Sequence, residues 1–291
     1  MKKLIYLPFL SLMFAGVISC ETETELVEIP EATINRIAEA AANAVSPPST
    51  SEIAAAVEAA LTDNLEGLLE EDVPDTVTHS GYITSDQTWA NASIHYLDGK
   101  GIVPDGLILT IETGTIVKAL QRNDNADSAA LVVARGGKVF AVGTSELPII
   151  FTSELDLIQK DHTYAAGSPN LTSEDYQLWG GVIVLGKARI SVSSNETEAG
   201  IEGIPAEDTF RLYGGSDDTD SSGVLDYVSI RHGGEQIGAG NEINGLTLGG
   251  VGTGTQVSNI EVVANVDDGI EFFGGSVNAS NLLVWAQGDD G

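Results

Sequence analysis

From about residue 79 onward, short runs of Val, Ile and Leu alternate with turns rich in Gly and Asp, and no amphipathic helix of useful length interrupts them. Apolar runs this short, bounded by turn residues, predict strands, so residues 79–291 are expected to form an all-β domain. The segment before it has another period. Ile34, Ile37, Ala38, Ala41 and Val45 share one helical face, as do Ile53, Val57, Ala60, Leu61 and Leu65, with Ser46-Pro47-Pro48-Ser49 between them. Residues 20–78 therefore predict either two short helices, as a stalk or a hairpin, or a mostly disordered tether, because Ala-rich stripes bury little area. Glycine marks the boundary: two of the 33 lie in residues 1–80 and 31 lie beyond.

A fixed spacing runs through the β region. Val257–Gly269 aligns without gaps on Ala279–Gly291 at an offset of 22, with seven of thirteen positions identical. The same offset aligns Leu109, Ile111, Gly114, Val117 and Ala119 with Leu131, Val133, Gly136, Val139 and Ala141. A third copy follows an insertion, with Val182, Val184, Gly186 and Ile190 echoing Val132, Ala134, Gly136 and Phe140. A period in this range indicates stacked repeats. Twenty-two residues suit one coil of a parallel β-helix, with strands about 4.8 Å apart and like side chains superposed. Ile260 should then lie over Leu282, and Val262 over Val284. Gly269, Gly274, Gly275 and Gly291 are expected to turn the corners with positive φ. A β-sandwich or propeller is the competing architecture.

Several runs carry a resemblance. Asp105–Lys118, Trp179–Gly186, Tyr213–Asp218, Gly223–His232 and Gly269–Gly275 resemble motifs of a family of bacterial surface and secreted right-handed β-helix lipoproteins, with Thr113 where a Pro is usual. The resemblance implies fold and location and supplies no activity. The N-terminus agrees with it. Lys2 and Lys3 precede an uncharged stretch, Leu4–Ile18, too short to span a bilayer comfortably, and residues 1–19 read as a signal peptide. Val17-Ile18-Ser19-Cys20 resembles a lipobox, which implies a diacylglyceryl anchor on Cys20 and a place on the outer membrane or cell surface of a Gram-negative bacterium. The acidic run Glu21–Glu25 resembles the stretch that follows Cys in surface-exposed lipoproteins. The last residues, Asp289-Asp290-Gly291, fall inside a coil turn, so the natural product is expected to continue beyond them.

Composition narrows the function. The chain carries 13 Lys and Arg against 43 Asp and Glu, a net −30, which repels phosphate and excludes a nucleic-acid partner. One cysteine closes no disulfide. Hydrophobic residues at 42% suffice for a sizeable core.

Three constellations could carry chemistry. With a 22-residue coil, Asp267 and Asp268 would stack on Asp289 and Asp290. Carboxylates so close repel, which raises their pKa or recruits a hard cation such as Ca²⁺; the competing explanation is that Asp-Gly simply makes good turns. Asp218, Asp220 and Ser222, followed by Gly223, resemble the opening of an EF-hand loop, but Ser229 stands where a bidentate Glu is required, leaving a looser Ca²⁺ turn or a plain polar loop. Arg231 and His232, just after a predicted strand, could supply a ligand contact or a base. His79, His95 and His162 show no metal-ligand spacing, and Trp89, Trp179, Trp285 and Tyr213 would stack on sugars only if they face outward.

Two functions fit. One is a lipid-anchored β-helix that binds a carbohydrate, a matrix component or a surface protein; the other is a polysaccharide lyase or glycoside hydrolase on the same scaffold, acting on acidic glycans. An enzyme should gather its carboxylates and a base in one cleft, whereas a binding module should show a flat or aromatic-lined face. The sequence displays turns rather than a convergent set, and so favours binding.

Overall fold

The structure is a computed structural model that describes residues 75–121, 128–160, 167–192, 196–234 and 243–291. The segment expected to be a signal peptide, Cys20 and the Ala-rich segment lie outside the described residues. Strand structure begins at β1 (Thr76–Tyr82), just before the predicted boundary, and continues through β2 (Gln87–Trp89), β3 (Ile94–Val103), β4 (Ile108–Ile111), β5 (Ile116–Ala119) and β6 (Ala130–Val133). There follow β7 (Lys138–Val142), β8 (Ile149–Ser153), β9 (Val182–Leu185), β10 (Ala199–Gly200) and β11 (Leu212–Tyr213). The last five are β12 (Gly223–Arg231), β13 (Leu246–Gly249), β14 (Gln256–Val263), β15 (Ile270–Phe273) and β16 (Asn278–Trp285).

All pairings among these strands are parallel except the small β10–β11 ribbon. They form three stacks. The first runs β2, β4, β7 and the leading arms of β12, β14 and β16. The second runs β1, the leading arm of β3, β5, β8 and the trailing arms of β12, β14 and β16. The third holds the end of β1, the trailing arm of β3, β6, β9, β13 and β15. The chain visits the stacks in turn, once per coil, which is the predicted right-handed parallel β-helix, the sense that parallel connections almost always take.

The long strands are two arms joined by a left-handed residue. Tyr227, Asn259 and Asn281 hold φ of 50°, 53° and 55° between the first and second stacks. His232, Ala264 and Ala286, at 62°, 53° and 58°, end the second. Asn281 donates from Nδ2 to Asn259 Oδ1 at 3.0 Å, bonding one bend to the next.

Inside, like side chains superpose. Trp89, Ile111, Ala141, Leu225, Val257 and Ala279 form one column, and Val117, Phe151, Ile230, Val262 and Val284 another. Ile260 pairs with Leu282 and Val262 with Val284, as expected. Each aliphatic buried in such a column contributes about 1.5–3 kcal/mol before entropy is subtracted.

The repeat differs from expectation in three places. Leu109 pairs with Gln87 and Val139, not Leu131, and Leu131 pairs with Gly101 and Val182. The upstream self-alignment matched two successive corners, β4–β5 and β6–β7, because both turn on a left-handed glycine, Gly114 and Gly136. Val182 lies over Leu131 rather than Val132. A one-residue slip exchanges the faces of a strand, so Val132 and Ile183 face outward into a second core under residues 199–213. Finally, Gly274 and Gly275 have the predicted positive φ, but Gly269 and Gly291 do not. Gly269 is needed for space: a Cβ there would meet Val284 Cγ1 at 2.2 Å.

Candidate functional site

The second stack presents two outward rows. Register places Ile94, Ile116, Ile150, Ser229, Glu261 and Leu283 in one, and Tyr96, Lys118, Thr152, Arg231, Val263 and Trp285 in the other. Both rows change character midway. Over the first three coils they are covered by the insertion after β8, whose Ile158 packs on Ile94, Ile116 and Ile150. Asp156 pins that cover: its carbonyl accepts from Lys118 Nζ at 2.6 Å, and its carboxylate accepts from Thr152 Oγ1 at 2.9 Å and Ser168 Oγ at 2.8 Å. Burial pushes the Lys118 ammonium below its usual pKa, and the Asp156 charge opposes the shift.

Past β8 the cover lifts and a groove of about 590 Å³ opens. Ser229, Arg231, Glu261, Val263 and Trp285 line its floor. Thr144, Ser145 and Pro148, from the turn after β7, form one wall, and Ser168, Leu171, Thr172 and Ser173 the other. Arg231, only 6% exposed, donates from Nε to Ser229 Oγ at 2.7 Å and from Nη2 to Glu261 Oε2 at 3.3 Å, while Ser229 Oγ donates to the same carboxylate. The Arg231 Nη1 is buried without a hydrogen-bond partner. His232 is buried with Nδ1 2.6 Å from the Asp175 carbonyl; burial pushes its pKa down, against the pull of that bond. Trp285 is 50% exposed at the far end of its row.

Arg231 and His232 thus fall in one groove, as the sequence picked them out, but with Glu261 and not with the aspartates. Asp267, Asp268 and Asp289 have carboxylate oxygens within 4.8 Å of one another and are the group among the described residues that could hold a cation. Asp290 is outside that group, and its backbone N–H donates to Asp268 Oδ1 at 2.9 Å. None of the four lines the groove. In the EF-hand-like segment Asp218 forms an ion pair with Arg189, and Asp220 Oδ2 accepts from the Lys187 N–H at 2.8 Å. Trp89, Trp179 and Tyr213 are buried, so only Trp285 of the four aromatics offers a broad surface.

Several groupings have no trace in the sequence pattern. Ser229 and Glu261 lie 32 residues apart, ten more than the 22-residue step from β14 to β16. His79 and His95 meet at 2.8 Å and stack on Trp89; burial, then the neighbouring His95, pushes His79 down to about 4. Asn244 Nδ2 donates to Glu202 at 3.3 Å and to Glu271 at 2.7 Å, and burial followed by the Glu202 charge pushes Glu271 up to about 7. A second hollow of about 640 Å³ lies between Tyr82, Arg135 and Phe210, where Arg135–Glu198 and Lys187–Asp105 ion pairs occupy four of its charged groups and Asp217 accepts from Thr219.

A family model described as a pectate-lyase like beta helix domain matches residues 81–291. No curated protein and no solved structure matches the chain.

Proposed function

Because the chain belongs to the family of pectate-lyase-like β-helix domains, we propose that it binds a polysaccharide along the open groove of its second sheet. The observation that carries this reading is where the cover stops: an otherwise buried sheet face lies open over the later coils, between hydroxyl-bearing walls and beside an exposed tryptophan. Hydroxyls donate and accept, and an indole face packs against the apolar side of a sugar ring. In the same reading the protein is tethered to the outer membrane or cell surface through Cys20, supported by the lipobox-like Val17–Cys20 and the acidic run after it.

The second reading, a lyase, is favoured by the meeting of Arg231, His232 and Glu261 in one groove. Against it, a base must reach the substrate proton, and Arg231 is buried with two of its nitrogens already bonded. A glycosidase needs two carboxylates flanking the scissile bond, and Glu261 is the one among the described residues lining the groove.

The test is a screen of immobilised glycans with Ca²⁺ and with chelator, read both for retention and for unsaturated uronate products. Retention without product supports binding. Product formation would replace it with the lyase, and no retention of any glycan would remove both.

A further inference from the structure

We propose that the groove selects a neutral, hydroxyl-bearing polysaccharide over a uronate polymer; this rests on the polysaccharide reading above and names its ligand class. The argument is one of charge at close range. Among the described residues lining the groove, the ionised side chains are Arg231 and Glu261, and they form a pair at 3.3 Å. His232 adds no charge near neutral pH, because burial pushes its pKa down. The described lining is therefore net neutral within a chain of net charge −30.

A polyuronate needs the opposite arrangement. Each of its carboxylates must find a cation or a bridging metal when it leaves water. The one guanidinium here binds Ser229 through Nε and Glu261 through Nη2, and with a side chain 7% exposed it keeps only the buried Nη1 without a partner, so it has no free fork for a second carboxylate. The carboxylates bonded to the two walls have the wrong sign: Asp175 accepts from the N–H and Oγ1 of Thr172, and Glu146 accepts from the Ser145 hydroxyl. The carboxylate group suited to recruiting a cation, Asp267, Asp268 and Asp289, is not part of the lining. What the groove does offer suits a sugar without charge: the hydroxyls of Thr144, Ser145 and Ser173, and the open indole of Trp285.

The experiment titrates the protein with neutral hexose and pentose oligosaccharides and with oligogalacturonates, at low salt and at about 0.15 M, where screening reaches only about 8 Å. Neutral oligosaccharides should bind with affinity nearly independent of salt. Oligogalacturonates should bind at least about tenfold more weakly, a difference of roughly 1.4 kcal/mol, and improve as salt screens the repulsion. Glu261→Gln, which leaves the buried Arg231 charge uncompensated, should lower Tm and shift the preference of the protein that remains folded toward the uronate. Tighter uronate binding by the unaltered protein, weakened by salt, overturns the inference while leaving the polysaccharide reading intact. Binding of neither set overturns both.

Discussion

Burial, and then a neighbour of like charge, shifts the pKa of His79 down and that of Glu271 up, and each shift makes stability depend on pH. Folded His79 takes its proton only near pH 4, whereas the unfolded side chain takes it near 6.5. As pH falls through that window the unfolded state binds the extra proton, and the fold loses stability. Glu271 works the other way. Folded, it keeps its proton to about 7, and unfolded it releases it near 4.5, so the fold loses stability as pH rises between those values. The windows overlap and mask each other in the intact protein. Urea unfolding between pH 4 and 7.5 should therefore show Glu271→Gln gaining on the unaltered protein as pH rises, and His79→Gln gaining as pH falls. Parallel curves for all three proteins would contradict the assignment. Arg231 and His232 were legible in the sequence as a pair of suitable chemistry beside a strand. Their partner Glu261 was not, because the pairing spans a lengthened coil and no local pattern encodes it.

At the level of the element, the columns and the glycines beside them fix the register. A Cβ on Gly245 would meet Val262 Cγ1 at 2.3 Å, and one on Gly269 would meet Val284 Cγ1 at 2.2 Å. The same requirement recurs one coil later, since Leu246 pairs with Ile270. Gly245→Ala should cost about 1–3 kcal/mol through overpacking. Val262→Ala removes the atom it strikes, so the double substitution should cost less than the sum of the two singles; additive losses in denaturant unfolding would rule out that clash. Leu246→Ala, which only opens a cavity, should cost about 2–5 kcal/mol. The architecture was legible because β14 and β16 repeat without insertion, which preserved the 22-residue spacing. Upstream, the coil-to-coil steps grow to 30 between β4 and β7 and to 51 between β6 and β9. There the sequence retained only the shared chemistry of its corners, and its self-alignment joined sides that are not stacked.

In the whole molecule, the insertions do more than decorate the solenoid. The one after β8 seals the second sheet over three coils, and by ending there it leaves the open face and supplies a wall of the groove. The residues between β9 and β12 cover the third sheet, with Ile201, Ile204 and Tyr213 packed on Ile102, Val132 and Ile183. A lipid anchor at the N-terminus would keep this groove at an envelope surface, where a polysaccharide could be captured. Cys20→Ser should therefore move the protein from the membrane fraction to the soluble fraction of the envelope, and unchanged fractionation would remove the anchor. The account as a whole meets its most direct test in a crystal structure of the protein with the longest oligosaccharide retained in the screen. Sugar rings should run across Ser229, Glu261 and Val263, with one of them against Trp285 and hydroxyls bonded to the Thr144 and Thr172 walls. Density in the hollow beside Tyr82 and Phe210, with the second sheet bare, would contradict it.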